Sequence, residues 1–131
     1  MITILPMKDE NRKEEILRNY PEKDGLCDVL VMGEKEELLG TAVLCVADKT
    51  MRLLDLSVSG QVLTSLDPMG KMVADSLMRA AASYGENHGA ERISLEVPEL
   101  DDFWASKGFA EKDGCRVAPM EHIVHTKKPE K

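Results

Sequence analysis

The segment GKMVADSLMRAAASYGENHGAERISLEV, residues 70–97, decides the fold because its apolar period changes midway. From Pro68 to about His88 the apolar positions Met69, Met72, Val73, Leu77, Ala80, Ala81 and Tyr84 recur at helical spacing. Asp75, Arg79 and Glu86 fall elsewhere, which predicts one long amphipathic helix ending near Gly89. ERISLEV, residues 91–97, then alternates, with Ile93, Leu95 and Val97 on one side, and reads as a strand. Upstream, RLLDLSV, residues 52–58, is mostly apolar on both parities, as expected of a central strand covered on two faces. A strand, a helix and a strand in this order place 52–58 and 91–97 parallel and adjacent.

The remaining chain extends the sheet antiparallel. Residues 2–6 read as a strand, and ENRKEEILRNYP spaces Ile16, Leu17 and Tyr20 as a short helix that Pro21 stops. CDVLVMG (27–33) and LLGTAVLCV (38–46), joined by the polar GEKEE, predict a hairpin, and ADKT a second turn. ELDDFWASKGF reads as a short helix stopped by Gly108. Two strands around 109–118 and 120–127 follow, with Asp113-Gly114 as a turn between or within them, and 125–131 form a mobile tail. The expectation is one α/β domain over residues 1–131, β-α-β-β-β-α-β-α-β-β.

Composition excludes more than it selects. A formal charge of −7 with no long basic run argues against nucleic acid as a partner. MITILPMKDE turns charged after one short apolar run, so neither a signal peptide nor a membrane span is expected. Cys27, Cys45 and Cys115 are odd in number and lack CxxC spacing, which suggests reduced thiols rather than zinc or a disulfide framework, and a cytoplasmic location.

SLDPMGKM, residues 65–72, poses a choice at the start of the long helix. Asp67 is a favoured N-cap and Pro68 suits the first helical position, so the helix can close its own start. The same N–H groups and the helix dipole also favour a bound anion. Both readings cannot fully hold at once.

GTAVLCV, LLDLSV, the 70–97 segment and FWASKGF together resemble the GNAT N-acetyltransferase superfamily, from about residue 27 to the end, with the N-terminal strand and helix shortened. The resemblance implies a mixed, mostly antiparallel central sheet with helices on both faces, acetyl-coenzyme A as donor, and a small-molecule or peptide amine as acceptor. It implies that strand backbone from Leu56 to Val58 pairs with the pantetheine arm and polarises the thioester. It also implies that Met69, Gly70, Lys71, Met72, Val73 and Ala74 stand at the pyrophosphate loop, whose family pattern is R/Q-x-x-G-x-G/A. Ala74 fits that pattern; Met69 replaces the usual Arg or Gln and Met72 the close-approach Gly. SGQVLTSLD makes the preceding loop longer than usual, and Asp67 adds negative charge to it.

FWASKGF matches the family's F-Y-x-K-x-GF pattern, one residue short between Lys107 and Gly108, with Trp104 at the Tyr position. That Tyr often protonates the leaving thiolate; an indole has no such proton, so packing is the expected role of Trp104. Two functions follow. One is acetyl-coenzyme A-dependent N-acetyl transfer; the alternative is a non-catalytic binding or regulatory module that keeps the fold and has lost the chemistry. A homodimer through the final strands is compatible with the resemblance.

Asp55, mid-strand among leucines, is the candidate general base; pairing with Arg52, Arg92 or solvent explains it equally well. Ser57 shares its parity. His122 and His125, three apart in a strand, would point to opposite faces, against joint metal ligation. Cys115 carries no expected role. Glu99, Asp101 and Asp102 suit a helix N-terminus better than an amine-binding patch, and Met69, Met72 and Met78 read as core filling.

Overall fold

The computed structural model describes residues 1–21 and 24–124. Its elements are β1 (Ile2–Pro6), α1 (Glu10–Leu17), β2 (Leu26–Glu34), β3 (Glu37–Ala47), β4 (Thr50–Val58), α2 (Pro68–Asn87), β5 (Arg92–Leu95), α3 (Asp101–Ser106), β6 (Ala110–Lys112), β7 (Cys115–Pro119) and α4 (Met120–Val124). Leu63–Ser65 and Pro98–Leu100 form single 3₁₀ turns. The seven strands make one sheet in the order β1-β2-β3-β4-β5-β7-β6, antiparallel except for the β4–β5 pair. The crossover helix between those two strands is the long amphipathic α2, as its period requires.

One face of the sheet carries the main core. Met51, Leu53, Leu56 and Val58 of β4 meet Val73, Ala74, Leu77, Met78 and Ala81 of α2, all buried. On the opposite face Val29, Val43 and Asp55 stand in one row across β2, β3 and β4. Tyr20, just past α1, reaches that face and donates its hydroxyl to Asp55. Helical segments therefore flank the sheet on both sides. Asp113 and Gly114, with φ of 54° and 83°, form the two-residue turn between β6 and β7, where both central residues must be left-handed.

The structure corrects three expectations. Residues 120–124 form the helix α4, not a strand. Met120 and Ile123 are buried at helical spacing, and Arg79 of α2 donates to the Ile123 carbonyl at 3.4 Å. His122 therefore lies on a helix, and His125, the end of the expected strand and the 125–131 tail lie outside the described residues. Met69 and Met72 are 59% and 38% exposed, so of the three methionines only Met78 fills core.

The third correction is chemical. Cys27 and Cys45 stand directly opposite in the β2–β3 register and are joined as a disulfide. Their 18-residue separation hid this in the sequence, because only the hairpin register brings them together. Cys115 is the one free cysteine among the described residues. A thiol reagent applied to the unfolded, unreduced protein is expected to count one thiol, and three after reduction; three before reduction would remove the bond.

A buried carboxylate ties α2 to β2. Asp28, 8% exposed, accepts from the Tyr84 hydroxyl at 3.0 Å and lies 3.5 Å from the Lys13 ammonium. Burial, then the Asp28 charge and hydrogen bond, push the Tyr84 phenol from 10.0 up to about 12. The folded state thus holds this proton more tightly than the unfolded one. Its contribution is complete below pH 10.0 and declines as pH rises towards about 12. Denaturant titrations across that window should show stability falling with pH, and less steeply in Tyr84→Phe; an equal slope in both would discard the linkage.

Candidate functional site

The site begins at an irregularity in β4. The β3–β4 register passes from Val43↔Asp55 to Leu44↔Leu53, leaving Leu54 as an extra residue, a β-bulge. The parallel β4–β5 ladder ends at the same level: Leu53↔Leu95 is its last pair, followed by the Glu96 N–H donating to the Leu53 carbonyl at 2.9 Å. Beyond this point the two strands part. The Arg52 guanidinium closes the apex with a two-pronged contact to Glu96, 2.7 and 3.0 Å.

The bulge also decides where backbone groups point. Ser59 N–H donates to the Leu39 carbonyl, in phase with Thr41↔Ser57 and Val43↔Asp55. Alternate residues of an antiparallel ladder address the same neighbour, so Asp55 and Ser57 face β3, while the N–H and C=O groups of Leu56 and Val58 face the split. Two of these have internal partners. Leu56 N–H donates to Asp55 Oδ1 at 2.8 Å, and the Val58 carbonyl accepts from Gln61 N–H at 3.2 Å.

Asp55 lies beside the split with both carboxylate oxygens engaged, Oδ1 by Leu56 N–H and Oδ2 by the Tyr20 hydroxyl. Burial, the Asp55 hydrogen bond and the Asp55 charge push the Tyr20 phenol well above its ordinary range, so it remains a donor. Neither Arg52 nor Arg92 is the partner in these contacts; Arg92 reaches the Asp48 carbonyl and Thr50. One step along the strand, the exposed Ser57 hydroxyl shares a 2.6 Å hydrogen bond with Thr41.

The start of α2 resolves the choice posed by its sequence. Pro68 has no N–H, and the Gly70 N–H donates to the Asp67 carboxylate at 2.7 Å. Lys71 N–H bonds the Asp67 carbonyl at 2.9 Å. Gln61 completes the cap: its Nε2 donates to Asp67 Oδ1 at 2.9 Å and its Oε1 accepts from Asp67 N–H at 3.0 Å. The Gly70 N–H, and after it the Gln61 amide, hold the Asp67 carboxyl below its ordinary value. The Gly70 and Lys71 donors are thus taken from within, where an anion would need them.

Gly70 has a specific use here. A Cβ at this position would lie 2.3 Å from Gln61 Oε1 and 3.0 Å from Leu66 Cδ2, so the missing side chain makes room for the Gln61 amide. Met69 and Met72 project outward, whereas Val73 and Ala74 are core. The extra loop length lets the turn at Leu63–Ser65 fold against the turn at Pro98–Leu100, with Leu63 and Leu66 half-buried on the core. A cavity of about 500 Å³ lies between these segments, and its charged lining is Lys71 against Glu99, Asp101 and Asp102. Arg116 binds Asp101 with two contacts, 2.8 and 2.9 Å, and lowers its pKa, so Asp101 does more than face a helix dipole.

Trp104 is fully buried between Phe103 and Phe109, and its Nε1 has no hydrogen-bond partner among the described residues. Sequence reasoning missed two residues of this region. Tyr20 read as part of an apolar helical face, and Gln61 carried no local signal, since its role depends on a loop that returns to meet it. Among the described residues no His, Cys, Asp and Glu cluster suits a metal ion, and no helix is long and apolar enough to cross a membrane.

The Gln61–Gly70 fit can be measured. Gly70→Ala is expected to destabilise the protein by about 1–3 kcal/mol through overpacking. Gln61→Ala should recover about 1 kcal/mol or more of that loss in a double-mutant cycle. Additive effects in urea denaturation would show that the amide does not occupy this space.

No protein-family model and no curated protein matches the sequence. Solved structures do match. The ribosomal-protein-S18-alanine N-acetyltransferase from Escherichia coli superposes with a TM-score of 0.65 at 15% identity, over 92% of this chain and 94% of that one. The IAA acetyltransferase from Bacillus cereus gives 0.63 at 13% identity, over 91% and 99%. A Bacillus subtilis acetyltransferase in complex with CoA gives 0.52 at 16% identity, over 89% and 96%. With its bulged central strand, its split sheet and these superpositions over nearly the whole length, the chain has the fold of the GNAT N-acetyltransferase superfamily.

Proposed function

We propose that the chain is an N-acyltransferase that takes an acetyl group from acetyl-coenzyme A in the split between β4 and β5 and passes it to an amine of a small molecule or peptide. The observation that carries this reading is the end of β4–β5 pairing at Leu53↔Leu95, directly before strand groups at Leu56 and Val58 that face the opening. With the Leu56 N–H on Asp55 and the Val58 carbonyl on Gln61, the Leu56 carbonyl suits an amide N–H of an extended arm and the Val58 N–H a carbonyl oxygen that gains charge during attack. Asp55, beside them, is the base that accepts the ammonium proton before the amine attacks the thioester carbon. The sulfur leaves as thiolate and takes up a proton from the new amide nitrogen through solvent. Trp104 packs and takes no part in that transfer. A cytoplasmic setting belongs to the same proposal; the Cys27–Cys45 bond is the observation that opposes it.

The donor's two ends fit unequally. The thioester arm meets a strand edge with the Leu56 carbonyl and the Val58 N–H facing it, whereas at the helix start the Gly70 and Lys71 N–H groups are already engaged by Asp67 and the adjoining cavity is mainly acidic. That observation favours a second reading, a non-catalytic module that keeps the fold and recognises a ligand or protein without phosphates.

Calorimetric titration of acetyl-coenzyme A, with desulfo-coenzyme A and pantetheine as controls, separates the two. A dissociation constant of about 1–100 μM, weakening with salt, is expected if the acyltransfer reading holds. No heat and no thermal shift at millimolar ligand would overturn it in favour of the module.

A further inference from the structure

The strongest chemical contact that the acyl-transfer reading has not used is the one Tyr20 makes. Tyr20 follows α1 and is 35 residues from Asp55 in sequence, yet its hydroxyl is hydrogen-bonded to Asp55 Oδ2 across the sheet face opposite α2. Asp55 Oδ1 is turned towards the split, over Leu56 N–H. A side chain held at both oxygens has one orientation.

We propose that Tyr20 is the positioning residue of the acceptor side: it fixes the Asp55 carboxylate beside the opening, where it receives the proton of an incoming ammonium. This rests on the acyl-transfer reading. Tyr20 itself neither gains nor loses a proton in the reaction. The ammonium N–H bond breaks, the proton passes to Asp55, and the amine lone pair forms the bond to the thioester carbon. The C–S bond then breaks and the sulfur leaves as thiolate, which takes the second nitrogen proton through solvent, and Asp55 returns its proton to solvent. Burial and the Asp55 charge keep the Tyr20 phenol un-ionised through neutral and mildly alkaline pH, so the donor is always present.

The groups facing this pair come from several elements. Val43 and Val29 flank Asp55 along its row on β3 and β2, and Ser57 and Thr41 supply the neighbouring hydroxyls. Arg52, the nearest cation along β4, is directed at Glu96 through its Nε and Nη2.

Three proteins test the proposal: wild type, Tyr20→Phe and Asp55→Asn. Tyrosinate absorbance against pH reads the contact without any activity. In Asp55→Asn, Tyr20 should ionise at a lower pH than in wild type, nearer its ordinary 10.0. Coenzyme A release from acetyl-coenzyme A, with spermidine, tryptamine and an alanine-initiated peptide as acceptors, reads the chemistry. Tyr20→Phe should lower kcat about tenfold, the size of one hydrogen bond to a charged group, with the donor KM unchanged and the acid limb of the pH profile displaced. Asp55→Asn should lose about a hundredfold or more. Unchanged tyrosine ionisation in Asp55→Asn, or a Tyr20→Phe enzyme with wild-type kcat and pH profile, overturns the positioning role alone. A wild-type protein that binds acetyl-coenzyme A and transfers to none of these amines overturns the acyl-transfer reading, and the role of Tyr20 in it.

Discussion

A β-strand has two edges, and each residue's backbone groups can address only one of them. The site depends on how β4 handles that constraint. Up to Leu53 it serves β3 on one edge and β5 on the other; the extra residue Leu54 then shifts the phase so that Leu56 and Val58 point outward just as β5 departs. The bulge does this without disturbing the core, because Met51 and Leu53 before it and Leu56 and Val58 after it all remain on the α2 face. Asp55, which a regular strand would have sent into that core, is delivered instead to the opposite face and to Tyr20.

The other end of the site obeys the same rule that buried or capped donors need partners, with the opposite result. At the split Asp55 takes the Leu56 N–H and Gln61 the Val58 carbonyl, which leaves the Leu56 carbonyl and the Val58 N–H facing the opening; at the start of α2 the helix end is capped internally by Asp67, with Gln61 locking Asp67 in place. The length of SGQVLTSLD matters for this reason. A short loop could not bring Gln61 back over Gly70, nor lay Leu63 and Leu66 against the core beside the turn at Pro98–Leu100. Gly70 is common to both uses of the helix start. The absent Cβ that would admit a phosphate admits a side-chain amide equally well.

These two ends also show what the sequence could and could not reveal. The long helix, the parallel pair around it and the hairpin were legible because each is set by a local period or a turn pair, and Asp67 with Pro68 announced a cap. What depended on register was hidden. The Cys27–Cys45 pair, the bulge at Leu54 and the contact between Tyr20 and Asp55 each join residues whose spacing has no local meaning. The 120–124 helix was misread because five residues with one β-branched pair carry too little period to outweigh a preceding strand; burial of Met120 and Ile123 against α2 decides it. Met69 and Met72 failed for a related reason: the buried face of α2 runs through Gly70, Val73, Ala74, Leu77, Met78 and Ala81, and at about 100° per residue these two methionines fall on the far side of the helix.

The unequal fit of the two ends follows from which part of the chain makes each. The bulge turns the Leu56 and Val58 backbone towards the opening whatever the side chains are, although a side chain such as Asp55 can take one of those groups, here the Leu56 N–H. Anion binding at a helix start depends on particular side chains and on unengaged N–H groups, and here Asp67, held by Gln61, occupies the Gly70 N–H. A chain can therefore keep an open strand edge while closing its helix start. The discriminating chemistry then lies in the donor's phosphates and not in its thioester. A donor that binds here must either displace Asp67 from Gly70 or route its charged end past Lys71 and away from Glu99 and Asp102, and both routes weaken with the negative charge already present. Retained geometry at the split is evidence for acyl transfer only to the extent that the latch at Asp67 yields.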